Sequence, residues 1–301
     1  MKSRLLAALL LCLPSALAAE APARKIAVVV DGEDRGERDL YLGLVQVYKP
    51  RGRLLAYELE DAQRNDPIAK GRLLSTLETC DLVVAVGNGA TDFAVSELED
   101  VPVYFVDATV VPGRSLESAS VSGLFGYSVD DLLDAVKALR LGVVGLAYTP
   151  GYEPLAGLVR EGAAARGLSV VARRIGSAKE LAPAVRSLLD RARVLWLVGD
   201  PLLVRGAGFE FIQENTLSEA IPLVGPGQWD VSHGALLGSD PAPAQQEADA
   251  VRTIDSLLEH RSGAGPRVRP AARGGVILLN AALAARWKLR TPEGPRWRRV
   301  R

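Results

Sequence analysis

Residues 80–92, CDLVVAVGNGATD, combine a run of five apolar residues with a turn of small residues and the start of a helix. The apolar run from Leu82 to Val86 does not alternate with polar residues, which is typical of a strand buried on both faces of a parallel sheet. Gly87 and Gly89 allow another group to approach the backbone, and Thr91 or Asp92 is predicted to cap the helix that follows. The N–H groups at such a turn attract an anionic or polar ligand group.

A second unit of the same kind lies at residues 193–201, RVLWLVGDP. It is again an apolar strand that ends at a glycine and an aspartate. We therefore expect the turns after the two strands to face each other across a cleft and to share one small ligand.

Strands and helices alternate along the whole chain, and the pattern occurs twice. Strand patterns in the first half have counterparts, in the same order, in the second half: Ile26, Leu54, Leu82 and Val101 correspond to Val143, Leu168, Val194 and Ile221. Such a βαβα repeat predicts an α/β fold with two doubly wound parallel-sheet lobes.

The C-terminal part adds one strand–helix pair to each predicted lobe. This predicts three crossovers between the lobes, near Ser122, Gly234 and Pro266, which would act as a hinge. The expected division is a signal peptide at 1–18, a first lobe of 19–124 plus 236–265, a second lobe of 125–235 plus 266–290, and a basic tail at 291–301.

The N-terminus has the three parts of a secretory signal. Lys2 and Arg4 precede the apolar run from Leu5 to Leu13, and residues 16–18, ALA, are typical of a cleavage site after Ala18. The run is shorter than the ~20 residues of a membrane span. Export to the periplasm is predicted. Cys80 would then remain alone, without an intramolecular disulfide.

Charge is unevenly distributed along the chain. The last sixteen residues hold seven basic residues and one acidic residue, Glu293, and the predicted mature body has 27 basic against 35 acidic residues. An acidic body argues against nucleic-acid binding, and the basic tail is expected to be a solvated end.

The candidate ligand-binding residues are those that follow the predicted strands, since ligands of open α/β sheets bind beyond the carboxyl ends of the strands. In the first lobe they are Asp31, Gly87, Asn88, Gly89, Ala90, Thr91, Asp107 and Thr109. In the second they are Tyr148, Thr149, Tyr152, Asp200, Gln228 and Trp229, and the last crossing adds Ser239 and Asp240.

Each candidate also has a structural interpretation. The turn from Gly87 to Gly89 is compatible with a simple tight turn, and Asp200 with a cap for a helix that begins at Pro201. The two tyrosines are compatible with packing between elements, and Trp229 with a buried loop anchor.

Signatures of catalysis are absent from the sequence. Asp92 stands where a dinucleotide fingerprint has its third glycine, and no phosphate-binding Gly-Lys-Ser/Thr turn or Gly-x-Ser-x-Gly elbow is present. The two histidines, His233 and His260, have no neighbours at metal-ligand spacing. We therefore predict a protein that is not an enzyme and that carries no cofactor or metal.

Several segments in order resemble the ABC-transporter substrate-binding family, which has the periplasmic-binding-protein type I fold. They are 143–151 (VVGLAYTPG), the turn at 167–168, the strand 195–200, 221–224 (IPLV), 234–236 (GAL), and the ending Val276-x-Leu278-x-Asn280-x-x-x-Ala284. The similarity covers residues 25 to about 289. The chain departs from the family at Asn88 and Gly89, where members often have Thr or Gln and Pro, and at Pro201, where many have a polar residue.

This resemblance implies a periplasmic, monomeric solute-binding component of an ABC-type uptake system. Members deliver small polar solutes, amino acids among them, to a membrane permease, and the resemblance implies contacts at Gly87 to Thr91 and at Asp200. N–H groups near Thr91 would hold a carboxylate, and Asp200 or Asp240 an ammonium or hydroxyl group. The alternatives are a ligand sensor or scaffold that acts on a membrane receptor or kinase through the basic tail, and a periplasmic enzyme of the same fold.

Overall fold

The computed structural model describes residues 24–32, 34–52, 54–259 and 268–300, which form two α/β lobes. The predicted signal peptide, His260 and the predicted crossover at Pro266 lie outside the described residues. Within the described ranges, no helix is both long and apolar enough to cross a membrane.

Lobe A is built on a six-stranded parallel sheet. Its strands are β1 (Ile26–Val30), β2 (Leu54–Glu58), β3 (Leu82–Val86), β4 (Val103–Ala108), β5 (Val121–Phe125) and β11 (Val268–Arg269), in the spatial order β11-β5-β4-β3-β1-β2. Every residue of β1 and β3 is buried, as their uninterrupted apolar runs require.

Helices cover both faces of this sheet. They are α1 (Arg35–Tyr48), α2 (Asp61–Asn65), α3 (Pro67–Leu77), α4 (Gly87–Glu97), α5 (Gly113–Leu116) and α12 (Pro243–Glu259). On one face, Leu44 of α1 and Ile254 of α12 pack with Val28 and Val84. On the other, Leu77 of α3 and Phe93 of α4 pack with alternate residues of the same strands.

Lobe B repeats this plan on a seven-stranded sheet. Its strands are β6 (Val143–Tyr148), β7 (Ser169–Arg174), β8 (Val194–Leu197), β9 (Leu223–Val224), β10 (Leu237–Asp240), β12 (Val276–Asn280) and β13 (Trp297–Val300), in the order β13-β12-β10-β9-β8-β6-β7. All neighbouring strands are parallel except β10 and β12, which are antiparallel. Its helices are α6 (Val129–Ala138), α7 (Glu153–Ala164), α8 (Ala178–Leu189), α9 (Pro201–Val204), α10 (Gly206–Ser218), α11 (Gln228–Ser232) and α13 (Ala281–Arg286).

Within the residues that the structure describes, the chain passes between the lobes three times, at 126–128, 241–242 and 270–275. The predicted number of crossovers is therefore right. The first follows the strand that contains Ser122 and the predicted boundary after residue 124, but the position predicted for the second is wrong, because Gly234 precedes β10. Strand β10 belongs to the sheet of lobe B, whereas the predicted boundary at residue 236 assigned it to the first lobe; only the helix that follows it, α12, packs on lobe A.

The predicted basic tail is also different in the structure. Residues 297–300 form the edge strand β13, which pairs with β12. Arg296 is bonded to the fully buried carboxylate of Asp131, which also accepts hydrogen bonds from the backbone N–H groups of Gly274 (3.0 Å) and Gly275 (2.9 Å). Arg296 thus helps to fix the third crossover, while residues 293–296, 298 and 299 remain exposed.

Candidate functional site

The loops that follow β3 and β4 are tied together by the side chain of Asn88. Its Oδ1 accepts hydrogen bonds from the backbone N–H groups of Thr109 and Val110, both at 2.8 Å, and its Nδ2 donates to the hydroxyl of Thr109 at 3.1 Å. The predicted site residues Asn88 and Thr109 are therefore adjacent, but most of their side-chain donors and acceptors are bonded to other protein atoms.

The turn after β3 differs from the predicted open helix N-terminus. Helix α4 begins at Gly87 directly after the strand, and no side chain caps it. Thr91 is buried and donates to the carbonyl oxygen of Gly87 (2.6 Å), and Asp92 is exposed. The predicted cap at Thr91 or Asp92 is therefore wrong. Ala90 is fully buried within the helix.

The carboxylate of Glu37, on α1, occupies the space in front of this helix. The backbone N–H of Asn88 donates to Glu37 Oε1 at 3.3 Å. Gly87 has a φ of +81°, and a Cβ at this position would collide with the Glu37 carboxyl group. In the same way, Gly89 leaves room for the carboxylate of Asp31, which pairs with Arg64. The chain thus places its own carboxyl group where the sequence predicted that of a ligand.

Two carboxyl groups at this edge of lobe A have raised pKa values. Burial, followed by the charge of Asp107, raises the pKa of Glu37 from 4.5 to about 8, with smaller contributions from Asp34 and Asp31. Burial raises the pKa of Asp107 from 3.8 to about 6, against a hydrogen bond from Gln246 at 2.9 Å. Asp107 has a φ of 61°, the left-handed region, which is uncommon for a non-glycine residue. This edge is therefore acidic, buried and protonatable near neutral pH.

In lobe B, Asp200 is buried and accepts three hydrogen bonds from the protein. One is from the N–H of Leu202 (2.8 Å), which caps α9. The others are from the hydroxyl of Thr149 (2.9 Å) and from the N–H of Gly113 (2.7 Å), which belongs to lobe A. Asp200 therefore binds the opposite lobe, and Thr149 holds its carboxylate from within lobe B. Asp200 is also the helix cap that was the structural alternative for this residue.

The contact between residues 109–113 of lobe A and residues 149–152 and 199–200 of lobe B is called the interlobe seam here. Val111 N–H donates to the carbonyl of Gly199 at 2.8 Å, and the Tyr152 hydroxyl bridges the carbonyls of Val111 (2.9 Å) and Gly199 (2.8 Å). Gly113 and Gly151 also approach each other's backbone closely, and an added Cβ at Gly151 would lie 2.0 Å from the Gly113 carbonyl oxygen. The seam depends on these residues having no side chain.

Beside the seam, Tyr152 lines an apolar cavity of about 140 Å³ between the lobes. The other lining residues are Leu116, Phe125, Gly151, Pro154, Leu155 and Val268. Tyr148 is half-buried, and its ring packs against the guanidinium of Arg160, 5.7 Å from the ring centroid.

Gln228 and Trp229 begin helix α11, which follows β9, and both are exposed. The Trp229 ring stacks on His233, with ring centroids 3.9 Å apart, and the Arg205 guanidinium lies 4.0 Å from the Trp229 ring centroid. A buried anchor role for Trp229 is therefore wrong. Gly227, the residue before this helix, lies against Thr109 of lobe A, so the turn between β9 and α11 reaches the other lobe.

Ser239 and Asp240 lie at the hinge. The buried Ser239 hydroxyl accepts a hydrogen bond from the N–H of Ser128 in the first crossover (2.8 Å). Asp240 pairs with Arg298 of β13. Ser239 therefore joins the first crossover to lobe B, whereas the Asp240 side chain pairs within lobe B.

Three residues near the cleft were not predicted as site residues: Glu37, Tyr127 and Asp230. The Tyr127 hydroxyl and Asp230 Oδ1 are buried and have no hydrogen-bond partner. Burial raises the pKa of Asp230 to about 6. In the sequence, Tyr127 follows a strand and Asp230 follows the Gly225–Gly227 turn, so the strand-end rule that selected the other candidates would have reached them.

Comparison with known proteins identifies the fold. The ABC domain from Streptococcus pneumonia solved in complex with L-Trp superimposes with a TM-score of 0.53 at 18% identity, over 89% of this chain and 96% of that one. A conserved domain protein from Vibrio cholerae gives 0.55 at 19% identity, over 93% and 100%. A ligand-free, open substrate-binding protein with adhesive properties from Clostridium difficile gives 0.51 at 17%, over 92% and 99%. The chain therefore has the periplasmic-binding-protein type I fold, as the resemblance implied.

Sequence comparison is less extensive. No family model matches the chain. A tyrosine-binding protein from Clostridioides difficile (strain R20291) is 24% identical over 168 residues, which are 52% of this chain and 48% of that protein. The match thus spans about half the length of this curated relative.

Asp200→Ala is expected to loosen the seam and lower stability. The substitution leaves three donors without their acceptor, and two of these hydrogen bonds are buried. A buried polar group left without a partner costs ~1–3 kcal/mol. A loss of about 3 kcal/mol would lower the midpoint of thermal unfolding by several degrees. Asp92→Ala, at an exposed position of α4, is the control and should leave the midpoint within about a degree. Equal midpoints for Asp200→Ala and the parent would contradict the role assigned to this carboxylate.

Proposed function

We propose that this protein is a periplasmic solute-binding component of an ABC-type uptake system, which encloses a small polar ligand between its lobes. The observation that carries the proposal is the meeting of polar loops from the carboxyl ends of two parallel sheets, joined by three crossovers. Ligands of open α/β sheets bind at this place, and a three-strand hinge allows the lobes to open and close.

An amino acid, and first an aromatic one, is the proposed ligand. The names of the relatives support this choice: one relative by sequence is a tyrosine-binding protein, and one solved structure with the same fold holds L-Trp. Acidic groups and hydrogen-bonding backbone line the cleft edges, and both suit a ligand that carries an ammonium and a carboxylate group.

Three groups that were expected to contact the ligand are already bonded within the protein. Asp200 is used by the seam and Asp240 by Arg298, so the roles first proposed for them require these contacts to be exchanged when the lobes open. The N–H of Asn88 is likewise shared with Glu37. We propose that a ligand enters the open form, in which the seam is separated, and that closure then rebuilds part of these contacts around it.

Ligand screening tests the proposal. Freshly purified protein would be examined by native mass spectrometry for a co-purified small molecule, and then by thermal shift with L-tyrosine, L-tryptophan, other amino acids and D-ribose. A ligand at a hundred times its Kd stabilises the native state by ~2.7 kcal/mol, enough to raise the midpoint by several degrees. We expect this rise with an aromatic amino acid and none with ribose.

Two results would contradict the proposal. One is the absence of any bound molecule and of any shift across the panel. The other is chemical conversion of a bound compound, which the same mass spectra would detect and which would indicate an enzyme. Delivery to a permease is tested separately, by the loss of uptake of the identified ligand from cells that lack this protein.

A further inference from the structure

Two buried polar atoms without hydrogen-bond partners lie where the lobes meet. Three such side-chain atoms occur in the described part of the chain: the hydroxyls of Tyr104 and Tyr127, and Asp230 Oδ1. Tyr104 is in the core between the lobe A sheet and α12, away from the cleft. Tyr127 is in the first crossover, and Asp230 lies next to the turn at Gly227 that contacts lobe A.

Tyr127 stands in the first crossover and is fully buried. Its ring packs on Phe125, with centroids 5.0 Å apart, and Phe125 packs on Tyr152, whose hydroxyl bridges the lobes. Asp230 lies in α11 of lobe B, three residues after Gly227, which contacts Thr109 of lobe A. The negative charge of Asp230 adds to burial in raising the pKa of Tyr127, so the two groups lie within electrostatic range of each other.

Only one of the two oxygens of the Asp230 carboxylate accepts a hydrogen bond. Its Oδ2 accepts a hydrogen bond from the N–H of Gly227 at 3.0 Å. Arg205 Nη1 is 4.0 Å from Oδ1, beyond hydrogen-bond distance; it donates instead to the carbonyl of Val204 at 2.8 Å. A buried carboxylate oxygen without a hydrogen-bond donor is costly, because it has lost its hydration and keeps only the weaker attraction of Arg205 at longer range.

The pair offers one negative charge and one hydroxyl to an incoming group. A protonated amino group has three N–H donors, so it would satisfy Asp230 Oδ1 and a lone pair of the Tyr127 hydroxyl at the same time. An anionic group would be repelled by Asp230. A neutral hydroxyl would leave the charge unbalanced.

We propose that Asp230 and Tyr127 form the subsite for the protonated amino group of the bound ligand. The inference rests on the proposed solute-binding function and extends it, because it assigns the ammonium to residues of α11 and the first crossover instead of to Asp200 or Asp240. Recognition by this pair would select amine-bearing solutes over acids and sugars of similar size.

Isothermal titration with matched ligands tests this subsite. The probes are L-tyrosine and 3-(4-hydroxyphenyl)propanoate, which is the same molecule without the amino group, and the proteins are the parent, Asp230→Asn and Tyr127→Phe. We expect the parent to bind L-tyrosine at least tenfold more tightly than the acid. Asp230→Asn should weaken L-tyrosine binding at least tenfold and Tyr127→Phe several-fold, and neither should weaken binding of the acid.

Both variants keep the shape of the parent side chain, and thermal midpoints check that they fold. Asp92→Asn, at an exposed site, is the matched control and should bind as the parent does.

If Asp230→Asn and Tyr127→Phe bind L-tyrosine as tightly as the parent, the subsite is wrong and the two atoms contact water only; the solute-binding function then still stands. If the parent binds only compounds without an amino group, the subsite is equally wrong. If the parent binds no solute at all, the proposed function fails and the subsite fails with it.

Discussion

Gly199→Ala is expected to prevent the lobes from closing on each other. A Cβ at position 199 would lie 1.8 Å from the carbonyl oxygen of Thr109, across the seam. The obstacle is backbone and cannot rotate away, so the lobes must separate. Separation also breaks the hydrogen bond from the Val111 N–H to the Gly199 carbonyl and the one from the Tyr152 hydroxyl to the Val111 carbonyl. At ~1 kcal/mol for each bond and a similar cost for the overlap, the closed form loses about 3 kcal/mol, which is about a hundredfold in the open–closed equilibrium.

Small-angle X-ray scattering measures this change directly. We expect a larger radius of gyration for Gly199→Ala than for the parent. We also expect the ligand affinity to fall by about the same factor as the open–closed equilibrium changes. Gly157→Ala is the matched control, because a Cβ at this helical position meets nothing within 4 Å, so the substitution should leave scattering unchanged and slightly raise stability. Identical scattering curves for Gly199→Ala and the parent would show that the seam is not a contact of the closed form in solution.

The parent protein is expected to become less stable to unfolding at alkaline pH, and Glu37→Gln is expected to reduce this loss. The folded-state pKa of Glu37, about 8, is above the ordinary value of 4.5, so between these pH values the folded state holds a proton that the unfolded state releases. Stability from this group is therefore fully present below pH 4.5 and is lost as the pH rises through 8. One pKa unit corresponds to ~1.4 kcal/mol, so even half of the shift makes a difference of about 2 kcal/mol.

The measurement is the free energy of unfolding by urea between pH 6 and pH 9. The parent should lose stability over this range, and Glu37→Gln, which cannot ionise, should lose less and exceed the parent at pH 9. Asp107 titrates in the same direction but at lower pH, from 3.8 to about 6, so the range above pH 7 isolates Glu37. Glu99→Gln, at an exposed position, should follow the parent. Parallel pH profiles for the parent and Glu37→Gln would mean that Glu37 is ionised in the folded state at pH 7.

The fold was predictable from the sequence because its central strands are encoded locally. Strands β1 and β3 are uninterrupted apolar runs that end at Val30 and Val86; α4 follows β3 directly, and α1 begins at Arg35. The lobe to which β10 belongs was not predictable in this way. Its local pattern is that of any short strand, and its place beside β9 and β12 depends on which sheet has an open edge after the chain has folded.

The candidate site was predictable only as a region. The rule that ligands lie beyond strand ends placed Asn88, Thr109 and Asp200 close to the cleft, but it could not show what occupies their hydrogen bonds. Gly199 illustrates the reason: a glycine after a strand looks the same in sequence whether it makes room for a ligand or for the backbone of the other lobe. Glu37 was missed because it lies on a helix of charged residues, and only the folded chain brings it to Gly87.

The interleaving of the two lobes limits how the molecule can be divided for experiments. Lobe A takes its edge strand β11 and its covering helix α12 from segments that follow most of lobe B in the chain. An expression fragment that stops after β5 would therefore expose one apolar side of its sheet and leave an unpaired edge, and it should aggregate. A soluble half-molecule would need residues 243–269 rejoined to β5 through a designed linker, in place of the whole intervening lobe.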